Sequence, residues 1–425
     1  MYSRDYQQYL AQLETDFTKL ARLEFLNPNG SVAFALDNQS KNKRSKAFLQ
    51  DGNLTVNLQN GRRRQANITL ANLDGAYDYA INRIWFGQQI RLSEGLILPD
   101  GSDFYIPQGV FVVENPDEAL EPGLRETTLQ LADKWANIDG TLGGNLEGAY
   151  GVDAGTNIFN AMATILKLDR YDMSNMGKNP IDPIPPIFTN YYNNKTQTLT
   201  NGDVVSLITA PYDYLSSDEG TIAEVQLGLA EMLAAWIGYN PRGRLVVDPS
   251  QDDILDTTKP VLWNFSFDKK QLLSLKYAPK PSEVYNDVIV VGATDDVSRT
   301  ARGRSQNQDI SSDTCISRIG LKTKRLSMTD YYSDDICQAY ADWQLKRYAV
   351  LGKTVTLTTT QMFHIVENQI VTVRREDKAG SPIERHLVQG FTRPIGQTGT
   401  MTINAVSVND FPLATAITDD ERIGA

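Results

Sequence analysis

Apolar residues near the start of the chain recur at three- and four-residue steps. Tyr6, Leu10, Leu13, Phe17 and Leu20 fall on one helical face, while Gln7, Gln8, Glu14, Asp16 and Lys19 fall elsewhere. The spacing predicts an amphipathic helix over residues 1–22, packed on its own domain or docked on a neighbouring subunit. From Leu23 the pattern changes to short alternating runs broken by turn chemistry. Strands are expected at Leu23–Phe25, Val32–Leu36, Leu54–Val56, Ala66–Leu70, Trp85–Leu92, Tyr105–Val113 and Thr127–Leu131. Tight turns are expected at Asn27-Pro28-Asn29-Gly30 and Leu98-Pro99-Asp100-Gly101. So many strands with little helix between them indicate an antiparallel sandwich or barrel over residues 23–137.

Residues 138–262 read as a mixed α+β domain. Helical signals run from Asn157 to Leu166, and the run Pro180-Ile181-Asp182-Pro183-Ile184-Pro185-Pro186 excludes helix or central strand. A helix is predicted from Ile222 to Ile237. Thr221 and Glu224 have capping-box spacing there, and Ile222, Val225, Leu229, Leu233 and Trp236 sit on adjoining positions. Asn240-Pro241-Arg242-Gly243 then turns the chain into Leu245-Val246-Val247.

Residues 263–425 return to strands: Val288–Val291, Thr354–Thr359, Gln369–Arg374, Leu387–Gly390 and Met401–Val408. A loop-and-helix subdomain interrupts them at about 293–350. Its loop is the polar stretch Asp295–Asp313, and its helix runs from Asp334 to Val350. Ser333 caps that helix, Asp334 and Asp335 occupy its first turn, and Lys346 and Arg347 lie near its end. Its buried face is expected to hold Ile336, Ala339, Tyr340 and Trp343. The fold class is therefore mainly β with α+β insertions.

Composition narrows the function. The 425 residues are 41% hydrophobic and 22% charged, enough for sizeable cores. No secretory signal is evident, and no apolar run approaches the roughly 20 residues of a membrane helix. The richest stretch, Ile222–Ile237, is interrupted by Glu224 and Glu231. A soluble protein made in the cytoplasm is expected. Cys315 and Cys337 are too few for a disulfide framework and are expected to be free thiols. The net charge of −11 argues against gripping nucleic acid by phosphate neutralisation.

Signals for chemistry are weak. His364 and His386 lack zinc-ligand spacing, and Gly140-Thr141-Leu142-Gly143-Gly144 lacks the Lys-Ser/Thr ending of a phosphate loop. The acid pairs Asp252-Asp253, Asp295-Asp296, Asp334-Asp335 and Asp419-Asp420 suit solvated loops and helix starts. No catalytic, metal or cofactor residue is assigned, and no enzyme activity is expected. Two basic clusters stand out, Lys41-Asn42-Lys43-Arg44-Ser45-Lys46 and Arg62-Arg63-Arg64. They suit a solvated loop and hairpin end, or an electrostatic contact to a neighbour's acidic face. Candidate subunit-interface residues are thus Tyr6, Leu10, Leu13, Phe17, Lys43, Arg44, Arg62, Arg63 and Arg64.

The order of parts is similar to that of the hub proteins of phage baseplates and related contractile injection systems. Leu23-Glu24-Phe25 with Asn29-Gly30 resembles the family's first hairpin. Leu129-Gln130-Leu131-Ala132-Asp133-Lys134 looks like the strand closing the first barrel. The stretch Ile222–Trp236 with Asn240–Leu245 resembles the family's helix and hairpin. Asn286–Val290, Ile319-Gly320, Asp334–Arg347 and Val355–Thr359 resemble its C-terminal half. One departure is Glu367-Asn368, where the family often has Gly-Asp before a strand; Asn tolerates left-handed backbone.

The resemblance implies two tube-like antiparallel β-barrel domains plus smaller mixed α/β domains. It also implies a homotrimer around a channel, each subunit's two barrels mimicking two tail-tube subunits. A tail tube or distal tail ring protein would sit above, a spike or tip protein below, and baseplate wedge or other structural proteins around it. The setting would be a virion tail assembled in the host cytoplasm, with no sequence-specific nucleic-acid binding and no membrane insertion. An acidic channel wall would let DNA slide, with the basic clusters pointing toward neighbours. A receptor- or carbohydrate-binding tail protein is the alternative. Such proteins usually display exposed aromatic platforms, whereas Trp236 and Trp343 lie on predicted helix faces.

Overall fold

The structure is a computed structural model. It describes residues 4–27, 29–39, 47–75, 77–78, 84, 87–166, 196–198, 204–233, 235–249, 260–267, 271–279, 281–294, 299–328, 331, 333–349, 353–374, 383–407 and 415–416. Helix α1 (Arg4–Gln12) is followed by β1 (Lys19–Leu26), β2 (Val32–Asp37), β3 (Ala47–Asn57), β4 (Arg64–Asn72), β5 (Gln89–Ile97), β6 (Asp103–Glu121) and β7 (Leu124–Asp133). The mixed region holds β8 (Gly151–Val152), α2 (Ile158–Ile165), β9 (Thr196–Thr198), β10 (Val204–Ser206), β11 (Tyr214–Leu215), α3 (Ile222–Met232), β12 (Ala235–Tyr239) and β13 (Leu245–Pro249). Then come β14 (Val261–Phe265), β15 (Leu272–Pro279), β16 (Asp287–Thr294), β17 (Thr300–Gln306), α4 (Ile316–Ile319), β18 (Thr323–Ser327) and α5 (Asp334–Tyr348). The last strands are β19 (Lys353–Thr360), β20 (Ile370–Arg374), β21 (Ile383–Ile395), β22 (Thr400–Ser407) and β23 (Thr415–Ala416).

Thirteen strands form one sheet in the order β15-β19-β22-β21-β3-β4-β7-β6-β5-β1-β2, with β20 paired to β21 and β14 to β20. Strands β1–β7 make one half and β14, β15 and β19–β22 the other. Strand β21 joins them. One of its edges pairs with β22, while the other passes from β20 (Ile383–Leu387) to β3 (Gly390–Ile395). The inner faces of both halves share a single core, from Leu23, Phe25 and Ile68 in the first to Val355, Phe391 and Ile403 in the second.

A second core unites the mixed region with the α5 layer. Ile158, Ile222, Leu229 and Ile237 belong to it together with Val288, Val290, Cys337 and Leu345. The Thr221 cap is present, its hydroxyl accepting from the Glu224 N–H at 3.1 Å. So is the Ser333 cap, which accepts from the Asp335 N–H at 3.2 Å.

Four local expectations are corrected. The N-terminal helix ends at Gln12, because Thr15 Oγ1 bonds the Gln12 carbonyl and Lys19 onward pairs with β5; Phe17 and Leu20 are not helical. The helix from Ile222 ends at Met232, and Trp236 lies half-buried on β12 opposite Asp248. Ala-Trp-Ile-Gly-Tyr prefers a pleated surface to a fifth helical turn. The supposed loop 295–313 contains β17, whose Arg304 is buried against Asp287 of β16 at 2.8 Å, so its polarity conceals an internal ion pair. Finally, α5 buries Cys337, Ala341 and Leu345 along with the expected Trp343, leaves Ile336 and Tyr340 half-buried, and exposes Ala339. Gly303 lies so near the helix that a Cβ there would sit 2.2 Å from the Cys337 backbone, so no side chain fits that contact. The asparagine before β20 behaves as expected: Asn368 has φ +60°.

Candidate functional site: an uncharged sheet face and the buried seam behind it

The outward side chains of β15, β19, β22, β21, β3, β4 and β7 form one face across both halves. Following the registers, one cross-strand row reads Ser274, Thr358, Thr402, Thr392, Thr55 and Gln65. A neighbouring row reads Pro394, Asn53, Asn67 and Gln130. Thr356, Thr360, Thr400, Asn404, Asn57, Thr69 and Thr128 extend the same chemistry, each exposed or half-buried. Threonine suits an exposed pleated surface, and its short hydroxyl keeps that surface wetted. At the join, the Thr55 and Thr392 hydroxyl oxygens are 3.5 Å apart.

The limits of the face are defined. At one end Leu58, Ile370 and Leu387 are covered by half-buried Trp236, Val261 and Val406. Beside Gln65, the outward Ala132 and Val112 are covered by Ala136 and Leu142. Charge appears at the margins, as Lys276 on β15, Asp51 on β3, and Glu114 and Asp117 on β6. Between these margins and the Leu58, Ile370 and Leu387 cluster, the outward positions of β19, β22, β21, β3 and β4 carry no Lys, Arg, Asp or Glu; beyond that cluster Arg385 of β21, paired with Thr372, is half-buried. A cavity of about 180 Å³ opens in this surface, lined by Asn53, Thr55, Gln65, Asn67, Glu114 and Gln130. Such a surface can hydrogen-bond weakly and everywhere but offers no fixed charge to a polyanion.

Behind the face, a buried polar seam fixes the halves together. Arg393 of β21 places Nη2 2.8 Å and Nε 2.9 Å from Glu94 of β5, and Lys19 of β1 lies 3.1 Å from the same carboxylate. All three side chains are buried. Arg393 also donates to the Met362 carbonyl at 2.8 Å and to Gln108, and lies over the Phe363 and Phe391 rings. Gln108 bonds the Phe363 carbonyl at 2.9 Å. From α1, the Tyr9 hydroxyl accepts from the Phe363 N–H at 2.9 Å and is hydrogen-bonded to His364 Nδ1 at 2.9 Å. Burial, reinforced by the Arg393 charge, lowers the His364 pKa to about 3. Burial raises that of Tyr9, and lowers that of Lys19 against the pull of Glu94. Every group in the seam thus serves a contact between elements remote in sequence.

Arg63 and Arg64 belong to this interior, which corrects their reading as a surface feature, whereas Arg62 stays part-exposed. Arg64 is 1% exposed; its guanidinium pairs with Glu367 and donates to the Gln108 carbonyl at 3.0 Å. Arg63 is 3% exposed. The buried carboxylate of Asp133 accepts the backbone N–H groups of Arg63 and Arg64 at 2.8 and 3.0 Å; burial nonetheless raises its pKa to about 6. Arg62 pairs with Glu114 at 2.8 Å and Asp139 at 3.0 Å. Three consecutive arginines therefore tie β4 to β6, to the turn after β7 and to the Glu367 loop. Tyr6, Leu10, Leu13 and Phe17 pack on the chain's own main core. Lys43, Arg44 and the proline run 180–186 lie outside the described residues.

Sequence reasoning missed Tyr9, Glu94, Gln108, Glu367 and Arg393, and the neutrality of the outer face. His364 and His386 are buried, and among the described residues no group of three or more His, Cys, Asp or Glu is arranged to hold a metal. Cys315 and Cys337 are free and buried. Among the described residues no helix is long and apolar enough to cross a membrane.

No protein-family model and no curated protein sequence matches the chain. Solved structures do. The tail protein from Neisseria meningitidis MC58 superposes with a TM-score of 0.57 at 11% identity, over 92% of this chain and 97% of that one. The 43 kDa tail protein of prophage MuSo2 from Shewanella oneidensis gives 0.57 at 10%, over 93% and 100%. Prophage tail protein gp18 from Listeria monocytogenes EGD-e gives 0.52 at 9%, over 92% and 95%. At these identities the likeness is one of fold, and it extends over nearly the whole chain: the mainly β architecture is that of phage tail proteins.

Proposed function

We propose that the chain is a structural, non-enzymatic hub of a phage-type tail. It forms a homotrimeric ring that joins the tail tube to the spike or tip and lines the channel with its uncharged sheet face. The observation that carries this reading is the continuity of that face across two β halves locked by a buried seam. A single subunit thereby offers a wide, smooth, rigid wall. The channel expected from the net charge was acidic; the wall proposed here is neutral instead, and the −11 resides elsewhere. Neutrality serves passage too, since phosphate binding depends on Lys and Arg contacts and their released counterions. The shared fold of the tail proteins supports the same reading.

The test is placement in the particle. Cryo-electron microscopy of tails should find three copies between the distal end of the tube and the tip, with Thr55 and Thr392 facing the axis. Density for the chain on peripheral fibres, or a wall built from another surface, would refute the assignment.

A further inference from the structure

A larger cavity, about 360 Å³, lies away from the sheet face, where β11, α3 and the connection from β18 to α5 meet. Tyr212, Tyr214 and Tyr331 line it, with Glu224 and Glu231 on the α3 side. Among the described residues no Lys, Arg or His lines it; the exposed Arg325, two positions before the lining Ser327 on β18, stays outside.

The helix is shaped for this wall. Glu224, Gly228 and Glu231 are spaced four and three residues apart, which puts them on one face of α3. A Cβ at Gly228 would collide with Tyr214, 2.7 Å from its Cζ and 2.8 Å from its hydroxyl oxygen. Glycine is unfavourable inside a helix, so its place here marks where the ring must lie against the backbone. The Tyr214 hydroxyl then donates to the Glu224 carbonyl at 3.2 Å. Deeper in, Tyr212 lies 6.3 Å from Tyr331, which meets Tyr340 edge-on at 5.3 Å, and the Tyr340 hydroxyl is 3.5 Å from the Glu231 carboxylate.

The field in the cavity is negative. Hydrogen bonds from the Ser217 N–H at 2.9 Å and its hydroxyl at 2.7 Å hold the Glu224 pKa below the usual carboxylate range. Burial, reinforced by the Glu231 charge, raises the Tyr331 pKa well above its ordinary value, so that phenol stays neutral.

We infer that this cavity binds an organic cation, an alkylammonium or guanidinium group on an apolar stem, as a lysine or arginine side chain presents it. Aromatic rings attract a cation, and carboxylates beside them add charge-assisted hydrogen bonds. Leu215, 71% exposed, and half-buried Met328 offer apolar surface to the stem. A sugar fits less well, because Tyr212 and Tyr331 are 6% and 2% exposed and cannot serve as open stacking platforms. The site belongs to the second core, and the inference does not rest on the hub reading.

Calorimetry on the full chain tests this with Nα-acetyl-lysine methylamide, n-butylammonium, Nα-acetyl-norleucine methylamide and methyl β-glucoside. The lysine derivative is expected to bind at millimolar concentration and the uncharged norleucine derivative to fail. Glu231→Gln, at an exposed position, should weaken binding by about tenfold or more without moving the melting curve. Tyr214→Leu should weaken it similarly; if that variant does not fold, Glu231→Gln decides. A lysine derivative that binds about tenfold better than n-butylammonium assigns the site to a side chain of an adjoining protein, whereas equal affinities assign it to a free amine. Equal binding of the lysine and norleucine derivatives, binding of neither, or full affinity in Glu231→Gln would overturn the cation site. Preferential binding of the glucoside would replace it with a glycan site.

Discussion

Glu94 and Arg393, 299 residues apart, form a buried two-point contact at 2.8 and 2.9 Å between the first and second β halves, with Lys19 on the carboxylate's other side. A carboxylate held by two cations in a dry interior is costly to remove, because the cations then face each other without a counter-charge. Glu94→Gln is expected to lower unfolding free energy by about 3–5 kcal/mol. Urea denaturation measures it, and a loss below about 1 kcal/mol would mean that the seam is wetter than its burial indicates. Replacing Glu94, Lys19 and Arg393 together by apolar residues of similar volume should recover much of the loss.

Gly303 sets how closely α5 approaches β17. A methyl group there would lie 2.2 Å from the Cys337 backbone carbon and 2.3 Å from its oxygen, and backbone cannot rotate away. Gly303→Ala should therefore push the helix off the sheet at a cost of about 1–3 kcal/mol or more. The loss should appear as a lower melting temperature and as faster hydrogen exchange in α5. Unchanged exchange in that helix would contradict the packing described.

His364 gives the fold an acid-side dependence. Its pKa falls from 6.5 to about 3 on folding, so the unfolded chain binds a proton between those values that the native state does not. Its contribution is fully present above pH 6.5 and is lost as pH falls toward 3, reaching about 2 kcal/mol of loss at pH 5. Asp133, raised from 3.8 to about 6, works in the opposite direction over its own window, since the folded state there holds the extra proton. The comparison is thus between wild type and His364→Phe, in which Asp133 is common to both. Relative to wild type the mutant should gain stability progressively as pH falls from 6.5 to 4, by about 2 kcal/mol at pH 5; parallel profiles would show that the imidazole titrates normally.

Much of this architecture can be read from local pattern, and what cannot is long-range. The caps at Thr221 and Ser333 and the alternation of most strands are local signals that tertiary packing did not override. The end of α3 was hidden because Leu229, Leu233 and Trp236 keep helical spacing, while Trp236, Ile237 and Tyr239 are equally good strand formers. Arg63 and Arg64 looked like surface because their partners, Asp133 and Glu367, are remote in sequence. The seam did leave a trace. Glu94 stands between Leu92 and Leu96, and Arg393 between Phe391 and Ile395, each a single charge on the inward side of an apolar alternation. Two such opposite charges ask for each other, but only the packing of β5 and β21 around one shared core shows that they meet. Threonines at 354, 356, 358 and 360 likewise announce an outward polar face without revealing that it continues onto β3.

The neutrality of that face is open to a direct electrostatic test. Thr55 and Thr392 face each other at the join, half-buried, with their hydroxyls pointing along the outer surface rather than into the core. Lysine at both sites would place two ammonium groups per subunit on the proposed channel wall, and their stems are long enough to keep the charge in water. Since counterion release scales with the number of phosphates neutralised, retention of DNA by the assembled protein should appear and fall steeply between about 50 and 200 mM salt. Wild type, and Thr55→Ser with Thr392→Ser, should show no such retention. Stability should change by less than about 0.5 kcal/mol, as surface substitutions usually do. The readout is duplex DNA binding to assembled protein at several salt concentrations, paired with melting curves. If the double lysine variant assembles and melts like wild type yet gains no salt-dependent DNA retention, the face lies outside the path of DNA and the channel must be lined by a different surface.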